Sequence, residues 1–177
     1  MIKLCHATIW LPGLTLITFV AIQPNPAYFS GMKILMIHGP NLAFLGKVSA
    51  GTGSRLTLDK VNTVLRRTAR EARIELKIMQ LYSEENILKA VARNRADIAG
   101  LLISPGAMAV NFYALRELLM ILKIKTVEVH LAEMPDSKES YAQSVLREIA
   151  LKRYLEPGLT AYKKGLQHFI KMNVKQQ

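Results

Sequence analysis

The stretch that decides the fold is Ile34-Leu35-Met36-Ile37-His38-Gly39-Pro40-Asn41-Leu42. Its apolar part is typical of a strand that is buried on both faces, and Gly39-Pro40-Asn41 is a turn that leaves this strand. Ligands of open α/β sheets bind at the carboxyl ends of the strands. The sequence therefore predicts that Asn41 lies where the chemistry of such a fold takes place.

The chain after Met32 alternates the patterns of strands and helices. Four more strands are predicted, over Ile74–Gln80, Ile98–Ser104, Thr126–His130 and Lys152–Leu155. Helical spacing of apolar residues fills the intervals, with Thr57, Ser83 and Asn111 as candidate N-caps, a helix over Lys138–Glu148 and a last helix through Leu159–Ile170. Repeated βα units predict an α/β fold, a flavodoxin-like three-layer sandwich with a five-stranded parallel sheet.

Composition limits the class of protein and its partners. The 177 residues carry one cysteine, Cys5, which excludes an internal disulfide framework and a cysteine-rich zinc site. A reducing compartment is the simplest explanation, and we expect a cytoplasmic protein. The net charge of +11 favours anionic partners, although a solvated basic face would give the same charge.

Residues 1–31 differ in composition from the rest of the chain. They carry one charge, Lys3, and an interrupted apolar run from Ala7 to Ile22. The run is short for a membrane span, which needs about 20 residues. Three explanations stay open: an over-extended reading frame whose true start is Met32, a signal-like segment or anchor, and a genuine extension. In each case residues 32–177 are expected to form the functional domain.

Glu128 and His130 are the strongest candidates for chemistry. They are two residues apart in a predicted strand, so their side chains point to the same face. A carboxylate that fixes the tautomer of an imidazole is a common arrangement for a general acid, and a buried pair with a purely structural role has the same pattern. His38 is predicted to be a core or supporting histidine.

Two kinds of ligand site are not supported by the spacing of residues. No set of histidines and carboxylates has the spacing of metal ligands, so we expect no metal. Gly51–Ser54 lacks the Lys-Ser/Thr ending of a P-loop. We predict that this segment is a flexible lid.

Several motifs together resemble one enzyme family. Gly39-Pro40-Asn41-Leu42, Leu45-Gly46 and Glu128-Val129-His130 are similar to motifs of the type II 3-dehydroquinate dehydratases. The resemblance extends to Ala114-Leu115-Arg116-Glu117, Ser144, Gly158-Leu159 and Tyr162. It implies the flavodoxin-like fold and a lyase of the shikimate pathway, which converts 3-dehydroquinate to 3-dehydroshikimate and water without metal or cofactor.

The resemblance also implies roles for single residues. Asn41 would hold a water at the enolate, His130 would protonate the departing hydroxyl as the general acid, and Glu128 would orient His130. The backbone of Leu131 and Ala132 would bind the carboxylate of a small-molecule substrate.

Three further residues stand at positions where the family binds substrate. They are Ser104, Glu117 and Tyr141. Glu117 occupies the place of an aspartate that reaches the site of a neighbouring subunit. A homo-oligomer is therefore expected, with the dodecamer as the family's habit, and neither nucleic acid nor a membrane is an expected partner.

Other positions depart from the family's pattern. Val48 replaces the arginine that lowers the pKa of the catalytic tyrosine, and the lid has no tyrosine to act as base. Ser104 replaces an asparagine, Val110 a substrate-binding histidine, and Tyr141 an arginine. Tyr141 is the best candidate for a substitute base. Because a general base contributes about 10²–10⁴-fold to the rate, we expect dehydratase activity that is weak or lost.

Three hypotheses about function follow from the sequence. The chain is a weak 3-dehydroquinate dehydratase, or an inactive homologue that keeps the fold and the assembly. The third hypothesis is a basic module that binds nucleic acid, supported by the helical stripe Arg66, Arg67, Arg70 and Arg73.

Overall fold

The computed structural model describes residues 4–8, 18–22, 31–51, 53 and 55–174. The chain divides into two compact units, residues 1–30 and 31–177. The first unit contains an antiparallel pair of strands, β1 (Leu4–Thr8) and β2 (Thr18–Ile22). No helix in the described stretches is long and apolar enough to cross a membrane.

The second unit is built on one parallel sheet. Its strands are β3 (Lys33–His38), β4 (Glu75–Gln80), β5 (Gly100–Ser104), β6 (Thr126–Leu131) and β7 (Lys152–Glu156). They lie in the order β4-β3-β5-β6-β7, and every neighbouring pair is parallel. This is the flavodoxin-like order, so the predicted five-stranded parallel sheet is confirmed.

Helices cover both faces of this sheet. They are α1 (Leu45–Gly51), α2 (Leu58–Glu71), α3 (Glu84–Asn94), α4 (Tyr113–Leu122), α5 (Ser137–Ala142) and α6 (Thr160–Val174), with short 3₁₀ helices over Leu42–Phe44 and Gly106–Val110. α2 and α6 pack on one face, and α3 and α4 pack on the other. β3 buries Ile34 and Met36 against the first face and Leu35 and Ile37 against the second. Burial on both faces explains its continuous apolar run.

Two of the three predicted helix caps are confirmed. The hydroxyl of Thr57 accepts a hydrogen bond from the backbone N–H of Lys60, and that of Ser83 accepts one from Asn86. The prediction for Asn111 is wrong. Asn111 closes the 3₁₀ helix over Gly106–Val110 instead, and its carbonyl oxygen accepts a hydrogen bond from the N–H of Tyr113.

The helix predicted over Lys138–Glu148 is also wrong in length, because α5 ends at Ala142. After it the chain turns inward: the N–H of Val145 donates to the carbonyl oxygen of Ala109, and Val145 and Leu146 join the core beside α3 and α4. Burial of these two apolar side chains and tertiary hydrogen bonds outweigh the helical pattern.

The predicted lid is partly helical. Gly51 is the last residue of α1, and Ser49 within that helix is fully buried, with its hydroxyl donating to the carbonyl oxygen of Leu56 at 2.7 Å. Thr52 and Ser54 lie outside the described residues. The segment that precedes them is therefore fixed on the protein by a buried hydrogen bond.

Candidate active site

The ends of β3 and β5 are held together by the turn after β3. The N–H of Gly39 donates to the carbonyl oxygen of Ser104 at 2.8 Å. A Cβ atom at position 39 would lie 2.6 Å from the carbonyl oxygen of Pro105, so only glycine fits this approach. The turns after the first and third strands of the sheet therefore meet, as the sequence predicts.

A cavity of about 270 Å³ opens at this end of the sheet. The residues that line it come from the carboxyl ends of β5 and β6, from the segments that follow β3, β5 and β6, and from α1 and α5. They are Pro40, Asn41, Leu42, Phe44, Val48, Ser104, Gly106, Ala107, His130, Leu131, Met134, Pro135, Asp136, Ser137 and Ser140. Asn41, Ser104, His130 and Leu131 are thus brought together as predicted, whereas Glu117 and Ala132 do not line the cavity.

Asn41 occupies the rim of this cavity in a left-handed conformation, with φ of 66°. Asn is one of the few residue types that adopt this conformation at low cost. Its carbonyl oxygen accepts a hydrogen bond from the N–H of Phe44 at 2.9 Å, which begins the 3₁₀ helix. Its side-chain amide makes no cap hydrogen bond, and the residue lines the cavity, where the amide can meet a ligand.

Glu128 and His130 form the predicted pair. The Nε2–H of His130 donates to Oε1 of Glu128 at 2.8 Å, and the hydroxyl of Ser144 donates to the same oxygen at 2.6 Å. Glu128 is fully buried and His130 is 3% exposed. The other ring nitrogen of His130, Nδ1, has no hydrogen-bond partner among the described residues, and the ring lines the cavity. It is therefore placed to exchange a proton with a ligand.

Glu128 remains a carboxylate although it is buried. Burial alone raises the pKa of its carboxyl, but hydrogen bonds from His130, Ser144 and Arg153, together with the charge of His130, hold that pKa below its ordinary value. A buried carboxylate that accepts three hydrogen bonds is an effective partner for an imidazole that must carry a proton.

Arg153 is a member of this cluster that sequence patterns did not indicate. Its Nε donates to Oε2 of Glu128 at 2.7 Å, and its side chain is 12% exposed. The two residues face each other in the register of β6 and β7. A basic residue inside a five-residue strand was a signal, but its partner depends on the register of β6 and β7, which the sequence does not contain.

Tyr141 lies beside His130 and outside the lining of the cavity. Its ring meets the His130 ring edge to face, with centroids 5.7 Å apart and an angle of 85° between the planes. The Arg153 guanidinium lies 4.0 Å from the centroid of the same ring. Tyr82 and Tyr113 are 61% and 63% exposed and do not line the cavity, so neither is placed to act as a base there.

His38 is buried beneath the cavity, as predicted. Its Nε2 lies 2.8 Å from Oδ1 of Asn62 and its Nδ1 lies 3.1 Å from the hydroxyl of Tyr162. Burial lowers the pKa of His38 to about 4, against the opposing effect of the Asn62 hydrogen bond. Burial raises the pKa of Tyr162, which is also hydrogen-bonded to the Ser104 side chain. His38 is therefore neutral at physiological pH and supports Ser104 in the cavity wall through Tyr162.

The backbone amide of Ala132 is occupied, contrary to the role implied for it. Its N–H donates to the carbonyl oxygen of Glu156 at 3.0 Å. The following residue, Glu133, turns away from the cavity lining and accepts a hydrogen bond from the N–H of Gly158. Recognition of a carboxylate by both Leu131 and Ala132 would therefore require a local rearrangement.

Comparison with known proteins agrees with this architecture. The family model described as dehydroquinase class II matches residues 32–170. The chain is 31% identical over 131 residues to the 3-dehydroquinate dehydratase of Pelotomaculum thermopropionicum, covering 74% of this chain and 91% of that protein. It is 34% identical over 119 residues to the 3-dehydroquinate dehydratase of Roseiflexus castenholzii, covering 67% of this chain and 76% of that protein.

The structural comparison gives the same assignment. The crystal structure of type II dehydroquinase from Butyrivibrio crossotus is similar to this chain with a TM-score of 0.69 and 27% sequence identity, covering 80% of this chain and 97% of that one. The region matched by the family model includes Asn41, Glu128 and His130. The chain belongs to the class II dehydroquinase family.

Proposed function

We propose that this chain catalyses the family's reaction, the conversion of 3-dehydroquinate to 3-dehydroshikimate and water, at a strongly reduced rate. The observation that supports the proposal best is the buried hydrogen bond of 2.8 Å between Glu128 and His130 at the wall of the cavity. Departure of a hydroxyl requires a positioned acid. His130 has one ring nitrogen held by a carboxylate and the other open to the cavity.

The elimination has two steps that make different demands on the protein. In the first, a base removes the proton next to the ketone, and the electrons of the C–H bond form an enolate. In the second, the enolate expels the hydroxyl group, and His130 supplies the proton that turns it into water. Asn41, at the rim of the cavity, would hold a water against the enolate oxygen. The described residues therefore serve the second step better than the first.

The first step lacks an evident base. The described part of the cavity lining contains no tyrosine, and Val48 lies in the wall at the position of the family's arginine. Loss of a general base lowers a rate by about 10²–10⁴-fold. Tyr141 is held by packing on His130 and Arg153, so it would have to move to reach a substrate.

The cavity is also poorly suited to a carboxylate. Among the described residues that line it, none is Lys or Arg, and the carboxylate of Asp136 would repel an anion. The N–H of Ala132 is occupied by Glu156. We infer weak binding of 3-dehydroquinate as well as slow chemistry.

The experiment is a direct assay of the purified chain with 3-dehydroquinate, following the absorbance of the conjugated product. A class II relative with an intact lid is assayed beside it as the reference. We expect product, with a kcat/KM well below the value of about 10⁴ M⁻¹s⁻¹ that ordinary enzymes exceed. A value above it would contradict the proposed impairment, and no product above the enzyme-free rate would favour the inactive homologue.

The nucleic-acid hypothesis gains no specific support. Arg66, Arg67 and Arg70 lie on the exposed side of α2, opposite its buried residues Val61 and Leu65. An amphipathic surface helix shows this arrangement whether or not it binds phosphate. A cytoplasmic location is part of the dehydratase proposal.

We also propose that copies of this chain associate through the outer face of α4. Met120 and Ile121 are 55% and 68% exposed, and a groove between α3 and α4 is lined mostly by apolar side chains. Lys89 and Glu117 border this groove. Because their charges are opposite, Lys89 of one copy can pair with Glu117 of a second copy. Such an assembly would give Glu117 access to a neighbouring site.

The mass of the protein in solution, measured by light scattering after gel filtration, tests this assembly. We expect a homo-oligomer that Ile121→Glu dissociates, because a buried charge in an apolar contact is costly. Val174→Glu, at a residue 67% exposed on α6, is the matched control and should leave the mass unchanged. A parent chain with the mass of one subunit would contradict the proposal.

A further inference from the structure

Arg153 makes three contacts with the cluster around the general acid. Its Nε donates to Oε2 of Glu128 at 2.7 Å, its guanidinium lies 4.0 Å from the centroid of the Tyr141 ring, and its Nη2 donates to the carbonyl oxygen of Tyr141. Tyr141 in turn packs against the ring of His130. Arg153 is therefore linked to His130 indirectly, through Glu128 on one side and through Tyr141 on the other.

The charges of this cluster depend on Arg153. Glu128 is fully buried and needs a positive partner. Arg153 is permanently charged, so it balances Glu128 while His130 is neutral. Without Arg153, the positive charge beside Glu128 could come from a protonated His130. Among the described residues, two more titratable groups lie near His130: Tyr141 of α5 packs on its ring, and Asp136 lines the same cavity.

We propose that Arg153 is a positioning residue that sets how readily His130 gives up its proton. Arg153 shares the Glu128 carboxylate with His130 and so makes the protonated imidazole less favourable than an isolated Glu–His pair would. It also fixes Tyr141 against the His130 ring. This inference rests on the proposed role of His130 as the general acid and deepens it.

The ring resonances of His130, followed by NMR over a pH titration of the purified full chain, test the inference. His130→Gln identifies the signal by its loss. Arg153→Gln keeps a hydrogen-bond donor and removes the charge, so we expect the midpoint of the His130 titration to rise by about one pH unit, a tenfold gain in proton affinity. Arg153→Lys keeps the charge and should leave the midpoint near that of the parent.

Arg116→Gln is the matched control. It removes an arginine from an ion pair with Glu148, with an N–O distance of 2.6 Å, outside the cavity lining. It should not move the midpoint. If Arg153→Gln fails to fold, Arg153→Met is the second charge-free variant, since its apolar stem can pack on Tyr141. An unchanged midpoint in a folded charge-free variant, or an equal rise in Arg153→Lys, would overturn the inference.

The titration needs no turnover, so its failure is distinct from failure of the proposed function. Absence of dehydratase activity with a raised midpoint would refute the proposed reaction and leave the control of the His130 charge by Arg153 standing. Activity that depends on His130 with an unmoved midpoint would refute only the role of Arg153. In an active enzyme, the alkaline limb of the pH–rate profile should move upward with Arg153→Gln.

Discussion

The cavity has two sides that differ in the hydrogen bonds of their side chains. The inner side lies around Glu128 and His130, and the outer side is formed by the residues that follow β3. On the inner side, Glu128 is fully buried and accepts hydrogen bonds from His130, Ser144 and Arg153. The outer side, formed by the residues that follow β3, presents Phe44 and Val48 to the cavity. His130, the proposed proton donor, is therefore supported by a hydrogen-bond network, whereas the described residues Phe44 and Val48 on the other side have apolar side chains.

The two sides of the cavity can therefore change independently of each other. The network around Glu128 also stabilises the fold, because its removal would leave buried charges unpaired. The apolar side chains of Val48 and Phe44 form no such hydrogen bonds. We therefore expect substitutions at these positions to alter the reaction at little cost in stability. Chemistry is expected to be lost first on the outer side.

The largest effect is expected from Glu128→Ala on stability. It leaves Arg153 and His130 without their partner in the interior, which costs about 3–5 kcal/mol. Glu148→Ala breaks the more exposed ion pair with Arg116 and should cost less than about 1 kcal/mol. Urea unfolding of both variants compares them directly, and equal losses would show that the inner network is not special.

The pH dependence of stability is the next largest effect. Burial lowers the pKa of His38 from 6.5 to about 4, so the unfolded chain takes up this proton before the folded chain does. The contribution of His38 is complete above pH 6.5 and is lost as the pH falls from 6.5 to 4, by about 3 kcal/mol.

His38→Gln isolates this contribution. Carboxylates such as Glu128 also lower the stability at acid pH, but they do so equally in the parent and in the variant. The variant should be less sensitive than the parent between pH 6.5 and 4 when both are unfolded with urea. Identical pH profiles for the two proteins would mean that His38 is not held neutral in the interior.

The smallest effect concerns the segment between β6 and α5, which also lines the cavity. Asp136→Asn removes the carboxylate from the cavity lining, and we expect the KM for 3-dehydroquinate to fall severalfold with little change in kcat. The effect is limited because Asp136 is exposed and water screens its charge. Asp97→Asn, an exposed substitution near the opposite end of β5, is the control. A KM that does not respond would show that repulsion by Asp136 does not weaken binding.

Local patterns in the sequence predicted the sheet well. The apolar run of β3, the capping hydroxyls of Thr57 and Ser83 and the alternation of Glu128 and His130 depend on neighbouring residues only, and each is confirmed. These features need no knowledge of tertiary contacts.

Features that depend on distant partners could not be predicted in this way. Ser144 lies in a stretch with helical spacing, but its hydroxyl donates to Glu128 and the chain turns inward there. Arg153 meets Glu128 only through the register of two strands, and the N–H of Ala132 is taken by Glu156 across the same pair. The sequence contained these residues but not their pairing.

If the proposed function is right, slow dehydration of 3-dehydroquinate depends on His130 and on Asn41, both of which line the cavity. The most direct measurement is kcat of the parent, His130→Ala and Asn41→Ala, with thermal melts of each, and His168→Ala on α6 as a control outside the cavity lining. We expect the first two variants to remain folded and to lose about 10²-fold or more of the parental rate, while the control keeps it. Parental rates in both His130→Ala and Asn41→Ala would contradict the account.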